Sequence, residues 1–202
     1  MTEQADSAAI AGAKTMLRKA VRLRRNARPT AQRAADDEAR FDRLQGLLTQ
    51  LRPRRLVAYL STGTEPDSLR LVSWAVARGV RVLLPVLTDG AGSWRPEPAW
   101  AVYDGPDRLR DGRSGILEPT GPVLANDPLA AADLLIVPGL AADRDGNRLG
   151  RGGGWYDRAR RGHADLPTWL LLNDDEVLGV VPTDSWDLPV NGLVTPTLTR
   201  ET

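Results

Sequence analysis

The run from Asp133 to Asp157, Asp-Leu-Leu-Ile-Val-Pro-Gly-Leu-Ala-Ala-Asp-Arg-Asp-Gly-Asn-Arg-Leu-Gly-Arg-Gly-Gly-Gly-Trp-Tyr-Asp, constrains the fold more than any other part of the chain. Its apolar start reads as a buried strand, its middle as a glycine-rich bend, and its end as a helix carrying Tyr156 and Asp157. That order of elements builds an anion site. The first N–H groups of a helix have no internal partner and carry the positive end of the peptide dipoles, so a phosphate placed there collects several hydrogen bonds. Gly150, Gly152, Gly153 and Gly154 permit positive φ and close approach of a ligand, while Arg148 and Arg151 add fixed charge.

Familiar loops of this kind are excluded by single residues. Trp155 stands where a dinucleotide fingerprint needs its third glycine, and no Gly-Lys-Ser/Thr follows as in a P-loop. Asp143, Asp145 and Asn147 begin like a calcium loop, but Arg148 replaces its glycine and Gly154 its bidentate glutamate. His163 is the sole histidine. Near a helix end it is expected to be solvated, and it supports neither a Ser-His-Asp triad nor a histidine zinc site. Gly112-Arg-Ser114-Gly-Ile116 ends in isoleucine where a nucleophile elbow needs glycine. Asp157 and Asp187 can be read as magnesium ligands, since that ion takes one or two carboxylates beside phosphates and waters, or as ordinary helix-surface and turn carboxylates.

Basic residues crowd the first part of the chain: Lys14, Arg18, Lys19, Arg22, Arg24, Arg25, Arg28 and Arg33, with no acid among them. Alanines and leucines predict a helix there, ended by Pro29, with Thr30 capping a second helix through about Gln50. The i, i+4, i+8 spacing puts Lys14, Arg18 and Arg22 on one face. Such a face can clamp phosphates, lie solvated, or touch nucleic acid. The net charge of +1 gives no global pull on a polyanion, and no aromatic residues interleave the arginines.

Downstream, apolar and amphipathic runs alternate, which predicts an α/β chain with a mostly parallel sheet between helices, a three-layer αβα sandwich with its site beyond the carboxyl ends of the strands. Strands are expected at Arg55–Leu60, Val80–Val86, Ala99–Tyr103, Asp133–Val137, Trp169–Leu172 and Gly192–Val194. Helices are expected at Pro66–Arg78 and from about Gly154 to Gly162, with loops and short irregular pieces over 88–128. The 202 residues suit a single domain, here 1–202 with an N-terminal helical arm over about 8–50. No cysteine is present, no apolar run reaches membrane-spanning length, and no signal-like segment opens the chain, so a cytoplasmic protein is expected.

Val137-Pro-Gly-Leu-Ala-Ala-Asp143 and Arg148-Leu-Gly-Arg-Gly-Gly-Gly-Trp-Tyr-Asp157 together resemble the signature of the 5-formyltetrahydrofolate cyclo-ligases. Weaker echoes follow in order along most of the chain: Lys14-x-x-x-Arg18, Tyr59-Leu-Ser, Glu65-Pro-Asp-Ser68, Gly115-Ile-Leu-Glu-Pro119, Val181-Pro182 and Asp187. The resemblance implies a fold akin to the ribose-5-phosphate isomerase and CoA-transferase group. It also implies closure of 5-formyltetrahydrofolate to 5,10-methenyltetrahydrofolate with ATP as co-substrate and Mg2+ as cofactor. It gives ATP to Lys14, Arg18, Arg22, Arg148, Leu149, Gly150, Arg151, Gly152, Gly153, Gly154, Trp155 and Tyr156. The folate falls to Leu60 and Glu65, with Arg151, Gly152, Gly153, Gly154 and Trp155. Arg151 at the transferring phosphoryl and Tyr156 at the junction of the substrates are the catalytic pair implied, and Asp157 and Asp187 the metal ligands. The implied partners are small molecules, ATP and a reduced folate, taken by a monomer without nucleic acid or membrane.

Four positions depart from that pattern. Trp155 replaces a tyrosine, Ser114 an aromatic residue that covers the ligand, Trp186 a histidine, and Asn191 a second aspartate. Two other functions stay open on the sequence. One is an ATP-dependent or ATP-binding relative with a different second substrate. The other is a nucleic-acid accessory protein using the basic helix, marked by steep salt dependence.

Overall fold

The computed structural model describes residues 2–89 and 91–202, with the side chains of 2–6 and 114 left aside. Ser114's side chain therefore lies outside the described residues. Two long helices come first, α1 (Thr2–Ala27) and α2 (Thr30–Leu51). Next are β1 (Arg55–Val57), α3 (Leu69–Ala77), β2 (Arg81–Pro85), β3 (Trp100–Val102), β4 (Leu109–Asp111) and β5 (Leu117–Pro119). The chain continues through β6 (Leu134–Pro138), β7 (Ala141–Ala142), β8 (Arg148–Leu149), α4 (Trp155–Ala159), β9 (Thr168–Leu171), β10 (Gly192–Val194) and β11 (Thr199–Glu201).

A seven-stranded sheet runs in the order β11-β10-β9-β6-β1-β2-β3. Its five inner strands pair in parallel, and only the edges β3 and β11 run antiparallel. The parallel strands are buried on both faces, which explains their unbroken apolar runs. Alternate residues serve opposite faces: Leu56, Val82, Leu84, Leu134, Ile136 and Leu171 pack against Leu44 and Leu48 of α2 and Leu71 and Val72 of α3. Their neighbours Val57, Leu83, Leu135, Val137, Leu170 and Leu193 meet Leu129, Ala159, Leu166 and Val190 on the other side. Each such side chain contributes about 1.5–3 kcal/mol by leaving water. The second face is covered by the short α4, a 3-10 turn at Pro128–Ala131 and loops, a thinner layer than α2 and α3 make.

Several expected boundaries move. The helix expected to run to Gly162 stops at Ala159, and the chain turns at Gly162, where φ is +86°. Thr30 does not cap α2: it is the first helical residue, Pro29 occupies the capping position, and the Thr30 hydroxyl instead accepts from Arg33. The helix expected from Pro66 starts at Leu69, because the Asp67 carboxylate accepts the N–H groups of Leu69 and Arg70 and fixes the entry. The β1 strand ends at Val57 rather than Leu60, and the chain past it enters the wall of a cleft. His163 is not simply solvated: Nε2 lies 2.7 Å from Asp127, the residue capping the 3-10 turn. The hairpin β7–β8 and the edge strand β11 have no counterpart in the expected elements, being too short for a periodic signal.

Candidate active site

The glycine-rich stretch is placed by the β7–β8 hairpin, and the hairpin by Asp143. That carboxylate is 1 % exposed. It accepts from the N–H groups of Asp145 (3.1 Å), Asn147 (3.0 Å) and Val181 (2.9 Å) and from the Asn147 side-chain amide (2.9 Å). The calcium-like spacing of Asp143, Asp145 and Asn147 is thus a turn in which backbone amides spend the carboxylate. Asp143 also ties the hairpin to the segment leading to Asp184 and Asp187.

From Leu149 the chain passes through Gly150 to Gly154 into α4. Gly152 (φ +105°) and Gly154 (φ +61°) hold conformations that L side chains rarely adopt. Among the described residues, the N–H groups of Arg151, Gly152, Gly153 and Gly154 donate to no protein acceptor, while the Gly150 and Arg151 carbonyls accept from Arg18 (2.9 Å) and Arg22 (3.4 Å). The loop therefore turns its acceptors toward α1 and keeps its donors available. With only five residues, α4 has a small dipole, so the loop amides and arginines carry the attraction for an anion rather than the helix end expected from the sequence.

The basic helix is bolted to the body rather than free. Leu17 and Val21 pack on Leu140, Ala141, Leu149 and Val181. Beside them, Lys14 donates to Asp184 (2.6 Å) and to Asp187, and Arg25 binds Glu176 (2.5 and 2.7 Å) and the Gly139 carbonyl (2.7 Å). Burial acts to lower the Lys14 pKa, but hydrogen bonds and charge from Asp184 and Asp187 outweigh it and hold the ammonium above its usual value. Lys14, Arg18 and Arg25, and Arg28 paired with Asp36, are thus turned inward, which removes much of the charge a nucleic-acid face would need.

Arg148 does not point free either. It donates to Asp157 (2.7 Å) and the Pro138 carbonyl (3.1 Å), and its buried Nε has no partner among the described residues. Arg160, 1 % exposed, donates to the carbonyls of Leu188 (3.0 Å) and Pro189 (2.8 Å), joining the helix of Asp157 to the segment of Asp187. Burial, with Arg148 nearby, lowers its pKa to about 10, against the pull of Asp157.

Across from α1 lies a drier wall. Arg151 reaches over it to Glu65 (2.9 Å), whose other oxygen accepts from the Thr62 N–H (2.8 Å) and hydroxyl (3.2 Å). Tyr156 stands close by. Burial, then the Glu65 charge, pushes its phenol far up against the pull of Arg148 and Arg151, so it stays a neutral hydrogen-bonding group. Trp155 packs edge-on against Trp100 (4.9 Å, 67°) and Tyr156 (4.8 Å, 73°), and its buried Nε1 lacks a partner among the described residues. It forms part of the wall of the site.

All these groups line one cleft of about 1210 Å³: Lys14, Arg18, Leu60, Glu65, Arg148 to Asp157, Trp186 and Asp187. That is room for more than one drug-sized ligand. Of the residues singled out in the sequence, Arg22 stays outside the lining and donates to the Arg151 carbonyl. Asn191 is also elsewhere, exchanging hydrogen bonds with Thr168 (2.7 and 2.8 Å), so its replacement of an aspartate does not touch the cleft. Sequence reasoning missed Asp184, Arg160, Thr62 and Trp94 in the lining. Asp184 could have been found from its spacing of three to Asp187; the other three carry no local signal. Among the described residues no three His, Cys, Asp or Glu gather as a metal cage. Two separate carboxylates, Asp157 and Asp187, are instead held against Arg148 and Lys14. Magnesium takes one or two carboxylates of this kind together with phosphate and water.

The 5-formyltetrahydrofolate cyclo-ligase family profile matches residues 10–196. The chain is 35 % identical to the 5-formyltetrahydrofolate cyclo-ligase of Mycolicibacterium smegmatis, over 91 % of this chain and 93 % of that one. It is 33 % identical to the 5-formyltetrahydrofolate cyclo-ligase of Escherichia coli K12, over 70 % of this chain and 77 % of that one. Its fold superposes on the NMR structure of the Aquifex aeolicus 5,10-methenyltetrahydrofolate synthetase with a TM-score of 0.77, at 28 % identity, covering 93 % and 92 % of the two chains.

Proposed function

The chain belongs to the 5-formyltetrahydrofolate cyclo-ligase family, and from that premise we propose that it closes 5-formyltetrahydrofolate to 5,10-methenyltetrahydrofolate while converting ATP to ADP and phosphate. A formamide oxygen is a poor leaving group, so it must first be made a better one. The formyl oxygen attacks the γ-phosphorus and displaces ADP. N10 then adds to the resulting imidate carbon and gives up its proton to solvent, and the C–O bond breaks to release phosphate. No protein nucleophile is needed, and the work of the site is alignment and charge neutralisation.

The observation that carries this reading is Arg151. It leaves the glycine loop, whose free amides suit a triphosphate, and ends 2.9 Å from Glu65, so one guanidinium spans both halves of a single cleft. In our assignment Lys14, Arg18 and Arg148 take phosphates with the amides of Leu149 to Tyr156, and Arg22 supports the loop from behind. Glu65, flanked by Leu60 and Trp155, accepts the N–H edge of the pterin, and neutral Tyr156 positions the junction. Asp157 and Asp187 would hold Mg2+, which supplies positive charge to the phosphates. We place residues 1–202 in one domain of a fold akin to the ribose-5-phosphate isomerase and CoA-transferase group, acting as a cytoplasmic monomer. No helix among the described residues is long and apolar enough to cross a membrane. The test is purified protein with ATP, Mg2+ and 5-formyltetrahydrofolate, followed by the absorbance of the methenyl product. Turnover of ATP without that product would overturn the assignment of the second substrate.

A further inference from the structure

Arg160 is a buried charge to which the chemistry above gives no task. It caps the end of α4, three residues after Asp157, and among the described residues it pairs with no carboxylate. Its two terminal nitrogens fork instead onto consecutive backbone carbonyls, those of Leu188 (3.0 Å) and Pro189 (2.8 Å), and its buried Nε has no partner among the described residues. Taking an ion out of water without a counter-ion is unfavourable, and an apolar side chain of similar length would fill the same space without that penalty. What a guanidinium adds is a pair of donors at a fixed spacing.

The grip joins the two elements that carry the acidic groups of the cleft. Asp157 lies on α4, held by Arg148 (2.7 Å), and Asp187 directly precedes Leu188, held from α1 by Lys14. The Asp187 segment is a tight turn, its carboxylate accepting the Asp184 N–H (2.8 Å) and its N–H donating to the Asp184 carbonyl (3.1 Å). Just beyond the grip the chain is anchored on its other side. The Val190 N–H donates to the Gly146 carbonyl (2.9 Å), the Val190 carbonyl accepts from the Thr202 hydroxyl (2.5 Å), and a Cβ at Gly146 would strike that carbonyl. Lys14 and Arg148 thus hold the two carboxylates separately, and Arg160 ties one carrier to the other.

We propose that Arg160 is a positioning residue that sets the separation of the Asp157 and Asp187 carboxylates, and with it the capacity of the pair to take a divalent cation alongside the triphosphate. The proposal rests on the assignment of those two carboxylates to Mg2+ given above. Arg160 acts through the backbone of Leu188 and Pro189, not through contact with a substrate.

The measurement is calorimetric binding of ATP, once with Mg2+ and once with a chelator in its place, to the wild type, Arg160→Met and Arg160→Lys. The ratio of the two affinities is the readout, because a general loss of packing lowers both. The wild type should bind ATP more tightly with Mg2+, and in Arg160→Met that advantage should shrink about tenfold, the effect of losing a group that orients a metal ligand. ATP affinity in the chelator and the affinity for 5-formyltetrahydrofolate should stay within about twofold. Arg160→Lys keeps the charge but loses the fork, so it should lose part of the same advantage, and it decides the matter if Arg160→Met does not fold. An undiminished Mg2+ advantage in the variants, or equal losses with and without Mg2+, would overturn the positioning role and leave the metal assignment standing. If the wild type gains nothing from Mg2+, the metal assignment falls and this proposal with it.

Discussion

Two cation–carboxylate clusters hold α1 to the body, one at each end of its inward face, and they differ in what surrounds them. At the Arg25 end the guanidinium and Glu176 are 3 % and 2 % exposed, and Asn173 and the Gly139 carbonyl take up the remaining hydrogen-bonding capacity. At the Lys14 end the partners Asp184 and Asp187 line the cleft, with Trp186 between them 65 % exposed. The same pairing is closed in one place and open in the other. A closed cluster can only hold the helix. An open one can exchange partners when a ligand brings its own charges, and Arg148–Asp157 beside it is open in the same sense.

The comparison is broken most directly at the closed end. Replacing Arg25 with Met should cost about 3–5 kcal/mol in a denaturant titration, since Glu176 would be left charged and buried; a loss as small as that of a surface pair would refute the contrast. Next in size is Arg151→Ala, expected to lower kcat/KM about 100- to 1000-fold through the loss of charge stabilisation. Its half-exposed pair with Glu65 should contribute under about 1 kcal/mol to unfolding. Comparable damage to fold and turnover would mean that Arg151 is structural.

Lys14→Met tests the open end: the KM for ATP should rise about tenfold, with unfolding shifted by about 1–3 kcal/mol, less than at Arg25, because the pair is nearly buried yet its carboxylates face the cleft. A large loss of stability with KM intact would make the two ends alike. The smallest expected effect is in pH. Because Lys14 titrates above its usual value when folded, its pair stabilises fully below the ordinary lysine pKa of about 10.4 and is lost only as pH rises through the raised value. The stability gap between wild type and Lys14→Met should therefore stay constant from neutral pH to about 10.4 and close above it. A gap that closed between neutral and mildly alkaline pH would mean that desolvation, rather than Asp184 and Asp187, governs the lysine.

How much of this was written in the sequence follows from the range of the interactions involved. The inner strands and α1 to α3 were legible because apolar periodicity is local: a run such as Leu134–Val137 must be buried on both faces whatever packs on it. The glycine loop was legible for the same reason, since positive φ at Gly152 and Gly154 is a property of those residues. Only the tertiary structure decided where the charges go. Lys14 meets Asp187 across 173 positions and Arg151 meets Glu65 across the mouth of the cleft, and no spacing in the chain encodes either encounter. The basic face of the helical arm was visible in the sequence, which left it a phosphate clamp, a solvated face or a nucleic-acid face; its apolar contacts, Leu17 and Val21 on the β7–β8 hairpin, were not visible. Sequence fixes which groups can be charged or bent, while packing sets which of them are already paired when a ligand arrives.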